Sequence, residues 1–396
     1  MSDETGGFIF SADWHLSFNT WGKYPTLAGD AYYSLSQIVS LCIELELPLI
    51  AAGDLFDKPF PDAITVNVMR QNMDRMEQAA LPVYFIQGQH ERVKRSMLAN
   101  SELSSPCWMN AHSWPQHVHE ASFEIGSHKI WGLDWTPADE LEDAFSRIPE
   151  DRDILVCHQV WQEFMGEHIE CEARLDMVPH VQCVFTGDYH ETETAAGNDI
   201  IMFSPGSISM RSMGEAADKH VYIVKDDGSV SDAELLTRTK LEVTISTEEE
   251  LESFVAADLQ DHAVHIGLSD LSHGAVDCPD GLRKPCLRVN YSDSIPDVYD
   301  RVLNKVGDAA YLFLYPRRDE SIEIDVEAQE RIREQGLLGC LSSVVEEDTP
   351  VYESCARLLR TDDLNSELSR MYDDFLSGNS SLPDHGEPHE VDSAGG

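Results

Sequence analysis

Pro48-Leu49-Ile50-Ala51-Ala52-Gly53-Asp54-Leu55-Phe56-Asp57 is the stretch whose reading decides the fold. A short apolar run stops at a glycine, and a carboxylate follows at once. Such a run, bounded by a turn signal, reads as a buried strand that delivers a polar residue at its C-terminal end. The same construction recurs on both sides. Phe8-Ile9-Phe10-Ser11-Ala12 ends in Asp13-Trp14-His15, and Val83-Tyr84-Phe85-Ile86 ends in Gln87-Gly88-Gln89-His90-Glu91. Between these runs, apolar residues at helical spacing (Leu35, Ile38, Val39, Cys42, Ile43) predict a helix over 32–45, and a second is expected over 63–79. Strand, polar turn and helix in alternation predict α/β architecture with parallel strands.

Further along, strands are expected at 122–125 and 129–133, at 154–157 closed by His158, and at 183–186 closed by Gly187-Asp188-Tyr189-His190. Two more, at 200–203 and 220–224, follow, the first running into Ser204-Pro205-Gly206-Ser207. The register breaks near Asp226-Asp227-Gly228, and a domain boundary is placed around 235–245. Beyond it, a strand from Leu241, an acidic helix over 247–259 and strands at 263–268 and 286–291 predict a small α/β domain. The stretch 319–376 reads as helical. The final stretch, 377–396, is rich in Gly, Ser, Pro and acid and is expected to be disordered. The domain reading is therefore 1–238, 239–318, 319–376 and a tail, 377–396.

Composition narrows the class. A hydrophobic content of 42% supports a sizeable core. The acidic N-terminus lacks the basic and apolar regions of a signal peptide. No apolar run is long enough to span a bilayer, so the chain is expected to be cytoplasmic. Nine cysteines with no C-x-x-C pair argue against a disulfide framework or a structural zinc site. The net charge of −44 counts against a basic nucleic-acid footprint. Part of that excess is local, since 20 acidic residues face 5 basic ones between Asp319 and Gly396, but the rest of the chain is acidic as well.

An Asp or His at one strand end is ordinarily a turn former. Here five such ends follow in order: Asp13-x-His15, Gly53-Asp54-x-x-Asp57, Gly88-Gln89-His90-Glu91, His158 and Gly187-Asp188-x-His190. Phosphodiester hydrolysis needs a hydroxide at neutral pH and stabilisation of charge on the phosphoryl oxygens. Two metal ions bridged by a carboxylate supply both. Mixed imidazole and carboxylate donors suit manganese or a similar ion.

The series resembles the calcineurin-like metallophosphoesterases, and finer details resemble their SbcD-like nuclease branch. Ser11-Ala12-Asp13-Trp14-His15-Leu16, Gly53-Asp54-Leu55-Phe56-Asp57 and Ser204-Pro205-Gly206-Ser207 with Arg211 and Gly214-Glu215 carry that likeness. Pro285-Cys286-Leu287-Arg288-Val289 looks like a strand of the branch's capping domain. The likeness is good over about 8–225 and loose over 240–320. It implies a four-layer αββα sandwich with a small α/β capping domain and a helical C-terminal segment.

It also implies roles. Asp13, His15 and His190 would bind a first metal, Asp54 would bridge, and Gln89, His158 and Asp188 would hold a second. His90 would be the catalytic histidine, with Asp57 giving support on the phosphate side or serving as an ordinary turn carboxylate. Arg92, Lys94 and Arg95 would contact DNA phosphates, or form an ordinary solvated loop. The family has Asn where Gln89 stands and His where Asp188 stands; the exchange to a carboxylate favours a harder ion. The implied cofactors are two divalent ions per subunit, Mn2+ or Mg2+. The implied activity is that of a DNA exonuclease and endonuclease in repair or recombination. The implied partners are DNA, an SbcC-like coiled-coil ATPase and a second copy of the chain, with no membrane. The apolar residues of Asp363-Leu364-x-x-Glu367-Leu368-x-x-Met371-Tyr372-x-x-Phe375 repeat at helical spacing, as a helix docking on that ATPase would, or one packing on its own domain. The departures from the pattern, with the compact C-terminal region, point to a viral or otherwise divergent member rather than a typical bacterial one. Two alternatives stay open: a phosphatase or phosphodiesterase of the same superfamily, and a non-catalytic structural subunit.

Overall fold

The structure is a computed structural model that describes residues 6–18, 21, 24, 27, 29–91, 115–166, 171–254, 284–292 and 294–317. All of these belong to one compact unit, Met1–Arg317. The expected helical segment over 319–376, its docking helix, the tail, the basic run Arg92, Lys94 and Arg95, and the expected strand at 263–268 lie outside the described residues.

Two six-stranded sheets face each other. The first has β1 (Gly7–Ala12), β2 (Leu49–Ala52), β3 (Val83–Ile86), β4 (Gln116–His117), β11 (Lys219–Lys225) and β12 (Val230–Leu235), in the order β12-β11-β1-β2-β3-β4. The second has β5 (Ala121–Ile125), β6 (His128–Leu133), β7 (Ile154–His158), β8 (Cys183–Gly187), β9 (Glu193–Gly197) and β10 (Ile200–Ser204), in the order β5-β6-β7-β8-β10-β9. Strands β1, β2 and β3 are parallel, as are β6, β7 and β8.

Alternation along each strand builds the layers. Phe8, Phe10 and Ala12 of β1, with Ile50 and Ala52 of β2, meet Ile154, Val156 and Phe185 of the other sheet in a central core. The residues between them turn outward. Ile9, Leu49 and Ala51 pack under α1 (Asp30–Leu45) and α2 (Ala63–Gln78), joined by Leu35, Ile38 and Met73. On the far side, Leu155 and Cys157 meet Leu141, Ala144 and Phe145 of α3 (Ala138–Ser146). The result is the four-layer αββα sandwich.

The register break at Asp226-Asp227-Gly228 is a hairpin turn: β12 returns antiparallel to β11 within the first sheet. A third sheet follows, with β13 (Lys240–Ile245), β14 (Cys286–Ser292) and β15 (Tyr311–Arg317) in parallel. The expected acidic helix is described over Glu248–Ser253, opened by a reciprocal cap between Thr247 and Glu250. A further helix, Val298–Val306, buries Val298, Val302 and Val306 against the three strands.

The small sheet is fastened to the sandwich by directed bonds. Arg238, 1% exposed, pairs with Asp30 at the start of α1 at 2.6 Å and lies over the ring of Tyr311. Lys240 donates to the Glu215 carbonyl at 2.7 Å, Arg288 to that of Met213 at 3.2 Å, and Thr237 to that of Ala217 at 2.7 Å. Three donors therefore grip one short segment, 213–217.

Candidate metal centre

Because β1, β2, β7 and β8 all end at the same edge of the sandwich, their terminal residues face one another across the gap between sheets. Asp13 and His15 follow β1, Asp54 follows β2, His158 closes β7, and Asp188 and His190 follow β8. The backbone turns sharply there: Asp13, His15, Asp54 and Asp188 hold φ of 50°, 42°, 48° and 80°. Left-handed geometry costs a non-glycine residue about 1 kcal/mol or more, and its concentration at four such positions marks a functional site. Hydrogen bonds hold the turns in place. The Asp13 N–H donates to the Gly53 carbonyl at 3.2 Å and that of His15 to the Asp54 carbonyl at 2.8 Å.

Asp54 is central. Its Oδ2 lies 3.6 Å from Nε2 of both His15 and His158 and 3.8 Å from Nε2 of His90. On the His158 side, that ring's Nε2 is also 3.8 Å from Asp13 and 3.9 Å from Asp188. On the other side, His15 and His190 point their Nε2 atoms at each other, 3.1 Å apart. Three overlapping groups of donors result: Asp13, His15 and His190; His15, Asp54 and His90; and Asp13, Asp54 and His158. Gln89 donates its amide to Asp188 at 2.6 Å, while its own Oε1 is buried without a partner.

The remaining contacts orient these rings. His158 bonds through Nδ1 to the Ala52 carbonyl at 2.7 Å, reaching from one sheet to the other and leaving Nε2 buried and without a hydrogen-bond partner. Glu215 stands 3.4 Å from His190 Nδ1 and is itself bound by Ser207, the Arg211 N–H and Lys219. His90 bonds through Nδ1 to the Asp57 carbonyl at 2.8 Å, and its N–H donates to Asp54 at 2.9 Å. Arg211 spans from the Asp57 carboxylate to His15.

The electrostatics describe a site short of positive charge. Burial pushes Asp13 up to about 6, with Asp54 and Asp188 adding and His158 and His190 opposing. Burial also works against the Asp54 carboxylate, but His158, His15 and His90 together hold it well below its ordinary value. His158 is raised well above the usual imidazole range, because Asp54, Asp13 and Asp188 outweigh its burial. Burial keeps His15 well below that range, so it is a neutral donor. Glu215 falls to about 2: burial would raise it, and His190 and Lys219 overcome that.

The donors fit divalent cations. Ligand atoms about 2.1 Å from one ion lie about 3–4 Å apart, which is the spacing seen here, and the orphaned Nε2 of His158 and Oε1 of Gln89 are the lone pairs such an ion would satisfy. Asp54 Oδ2, equidistant from two imidazoles, has the placement of a bridge. Bound there, divalent ions would supply a hydroxide nucleophile at neutral pH and charge compensation at phosphoryl oxygens.

Every expected ligand position thus converges on this edge, as do His90 and Asp57. Three contributors had no assigned role in the sequence: Arg211, Glu215 and Glu91. Glu91, 2% exposed, accepts from the N–H groups of Asp54, Gly88 and Phe56 at 3.1, 2.8 and 2.8 Å. Its position inside Gly88-Gln89-His90-Glu91 was the available signal. Apart from this set, His117 and His119 flank Asp134, with His117 Nε2 3.0 Å from its carboxylate.

Gly53 shows how little room is left. At φ 77°, an added Cβ would run into His158 Nδ1 and come within 2.9 Å of the Gly88 nitrogen. Gly53→Ala is expected to cost at least about 1 kcal/mol of stability from backbone strain alone, and to weaken cation binding by displacing His158. Thermal melts with and without Mn2+ check this; a variant with an unchanged metal-induced shift would contradict the packing described.

No family model matches the chain. It is similar to the DNA double-strand break repair protein Mre11 of Methanosarcina mazei, at 22% identity over 262 residues, 62% of this chain and 41% of that protein. It is also similar to the SbcD nuclease of Staphylococcus saprophyticus, at 31% identity over 90 residues, 22% of this chain and 23% of that protein. The matches span less than half the length of either relative. A solved archaeal phosphodiesterase aligns with 58% of this chain and 99% of its own, at 12% identity and a TM-score of 0.34, too distant to carry an argument. Among the described residues, no helix is long and apolar enough to cross a membrane. The two-sheet sandwich thus presents the D-x-H, G-D, H and D-x-H ends at one edge, in a chain that is similar to the SbcD and Mre11 proteins.

Proposed function

We propose that the chain is a metal-dependent DNA nuclease that hydrolyses phosphodiester bonds with two divalent ions, Mn2+ or Mg2+, as the nuclease subunit of a complex with an SbcC-like ATPase. The observation that carries this reading is the placement of Asp54 Oδ2 at 3.6 Å from two imidazoles that belong to two different donor groups. In this reading Asp13, His15, Asp54 and His190 hold one ion, and Asp54, Gln89, His158 and Asp188 the other. His90, partly exposed and fixed by the Asp57 carbonyl, faces the phosphate and gives a proton to the leaving oxygen. Arg211, anchored by Asp57, offers its guanidinium on the same side.

The partner, the second copy of the chain, the domain limits at 238, 318 and 376 and the phosphate contacts of Arg92, Lys94 and Arg95 belong to the same proposal. They are supported by the SbcD and Mre11 relatives and by the position of the basic run directly after His90. The net charge of −44 favours a second reading, a phosphatase or phosphodiesterase acting on a smaller ester.

A cleavage assay on linear DNA with Mn2+ or Mg2+, with and without the ATPase, separates the two. Cleavage is expected, and His90→Ala is expected to lower the rate roughly 100- to 10,000-fold without abolishing cation binding. Hydrolysis of small phosphomonoesters with no cleavage of DNA would favour the second reading. An unchanged rate in His90→Ala would remove His90 from the chemistry.

A further inference from the structure

Gln87 opens the turn that carries Gln89 and His90, and its main chain is held from the other sheet. Its N–H donates to Asp134 Oδ1 at 2.8 Å, and its carbonyl accepts from the Trp135 N–H at 2.8 Å. Asp134 directly follows β6, whose parallel neighbour β7 ends in His158, so these bonds cross between the sheets at the metal edge. Asp134 is 3% exposed, and a carboxylate so buried needs hydrogen bonds to answer its charge. His117 completes that set, with Nε2 3.0 Å from both carboxylate oxygens. Its own ring is fixed by stacking on Phe85 of β3, with centroids 5.0 Å apart and planes 20° from parallel. The same stretch backs a second ligand. The Thr136 carbonyl accepts from Gln159 at 3.1 Å, and Gln159, fully buried, adjoins His158.

We propose that Asp134, oriented by His117, is a positioning residue for the ion held by Gln89, His158 and Asp188, fixing the backbone from which Gln89 reaches it. The proposal rests on the two-ion reading above and goes beyond it, because Asp134 touches neither ion nor substrate and acts through Gln89. Geometry assigns the role. The Gln89 amide donates to Asp188 at 2.6 Å while its Oε1 stays buried without a partner. A side chain with several rotatable bonds aims such an oxygen well only when the backbone beneath it is held. Of the two bonds to Gln87, the one from Trp135 is main chain to main chain and survives substitution. The one to Asp134 is supplied by a side chain, and it is the one a mutation removes.

The test is a calorimetric titration of the full-length chain with Mn2+, arranged as a double-mutant cycle between Asp134 and Gln89. Asp134→Ala is expected to weaken one binding step about tenfold, as loss of an outer partner of a metal ligand does. Asp134→Asn is expected to restore it, since Oδ1 still accepts from Gln87 and the amide can donate to a neutral His117. In a Gln89→Ala chain, Asp134→Ala is expected to cause no further loss, because the side chain it positions is gone. His117→Phe keeps the stack on Phe85 but removes the bond to Asp134. It is expected to weaken the same step, and it carries the cycle if Asp134→Ala does not fold. Equal losses in the wild-type and Gln89→Ala backgrounds would assign Asp134 to general stability and overturn the proposal. So would wild-type Mn2+ affinity in a folded Asp134→Ala chain or, where that chain does not fold, in His117→Phe. A wild-type chain that binds no Mn2+ would remove the metal centre, and the positioning role with it. If the cycle comes out as expected while the chain cleaves no DNA, the positioning role stands and the nuclease reading falls.

Discussion

Asp54→Ala is expected to abolish the stabilisation that Mn2+ or Mg2+ gives to the chain and to lower phosphodiester hydrolysis roughly a thousandfold or more. Its carboxylate faces all of His15, His90 and His158, so this one change touches both sides of the centre. Asp54→Asn isolates the charge from the volume. The amide keeps an oxygen for the His90 N–H, which the carboxylate accepts at 2.9 Å, but offers a bridging ion no second anionic oxygen. Ligand linkage makes the readout independent of activity, since a cation that binds only the folded chain stabilises it by RT ln(1 + [L]/Kd) and so raises its melting temperature. The metal-free melting temperature of Asp54→Asn should stay near wild type, while the shift on adding metal disappears. A retained shift would show that the ions are held without Asp54.

Glu91→Ala is expected to cost on the order of 5 kcal/mol, because each buried donor left without its acceptor costs about 1–3 kcal/mol. Three N–H groups lose theirs at once, those of Asp54, Phe56 and Gly88. That loss is comparable with the whole stability of many domains, so the variant is expected to be poorly soluble. Glu91→Gln is the informative partner. Its Oε1 still accepts one or two of the bonds, but its NH2 opposes a donor, so it should fold with a lowered melting temperature and reduced cation affinity. Burial and the Asp54 charge already push the Glu91 carboxyl up to about 8 against the pull of the Phe56 and Gly88 N–H groups. The site therefore retains this residue for the two loops it fastens, Gly53–Phe56 and Gly88–His90. A Glu91→Gln chain with wild-type melting and wild-type metal response would refute that role.

The central strands were legible because burial on both faces leaves an unbroken apolar run, as in Phe8–Ala12 and Leu49–Ala52. Edge strands leave no such trace. Glu193–Gly197 and Val230–Leu235 are half exposed and polar, so neither registers as a strand in sequence. Helix α3, Ala138–Ser146, is acidic with only Leu141, Ala144 and Phe145 buried, and its short apolar stripe escapes the same reading. The strand-end aspartates and histidines were legible for the opposite reason, since each announces itself beside its own strand. Arg211 and Glu215 do not. Arg211 meets His15 across 196 positions, and a guanidinium in a loop carries no periodic signal of what it will touch. Glu215 lies 25 positions from His190, and only the fold brings them to 3.4 Å.

The grip of the small sheet on 213–217 gives the molecule a mechanical property. The Glu215 carbonyl is held by Lys240 and its carboxylate stands against His190, so one residue is clamped at both ends, by two different parts of the fold. A displacement of the three-stranded sheet is therefore expected to be felt at His190 through Glu215, unless the bonds to Met213, Glu215 and Ala217 give way first. The sheet and the centre share this one residue.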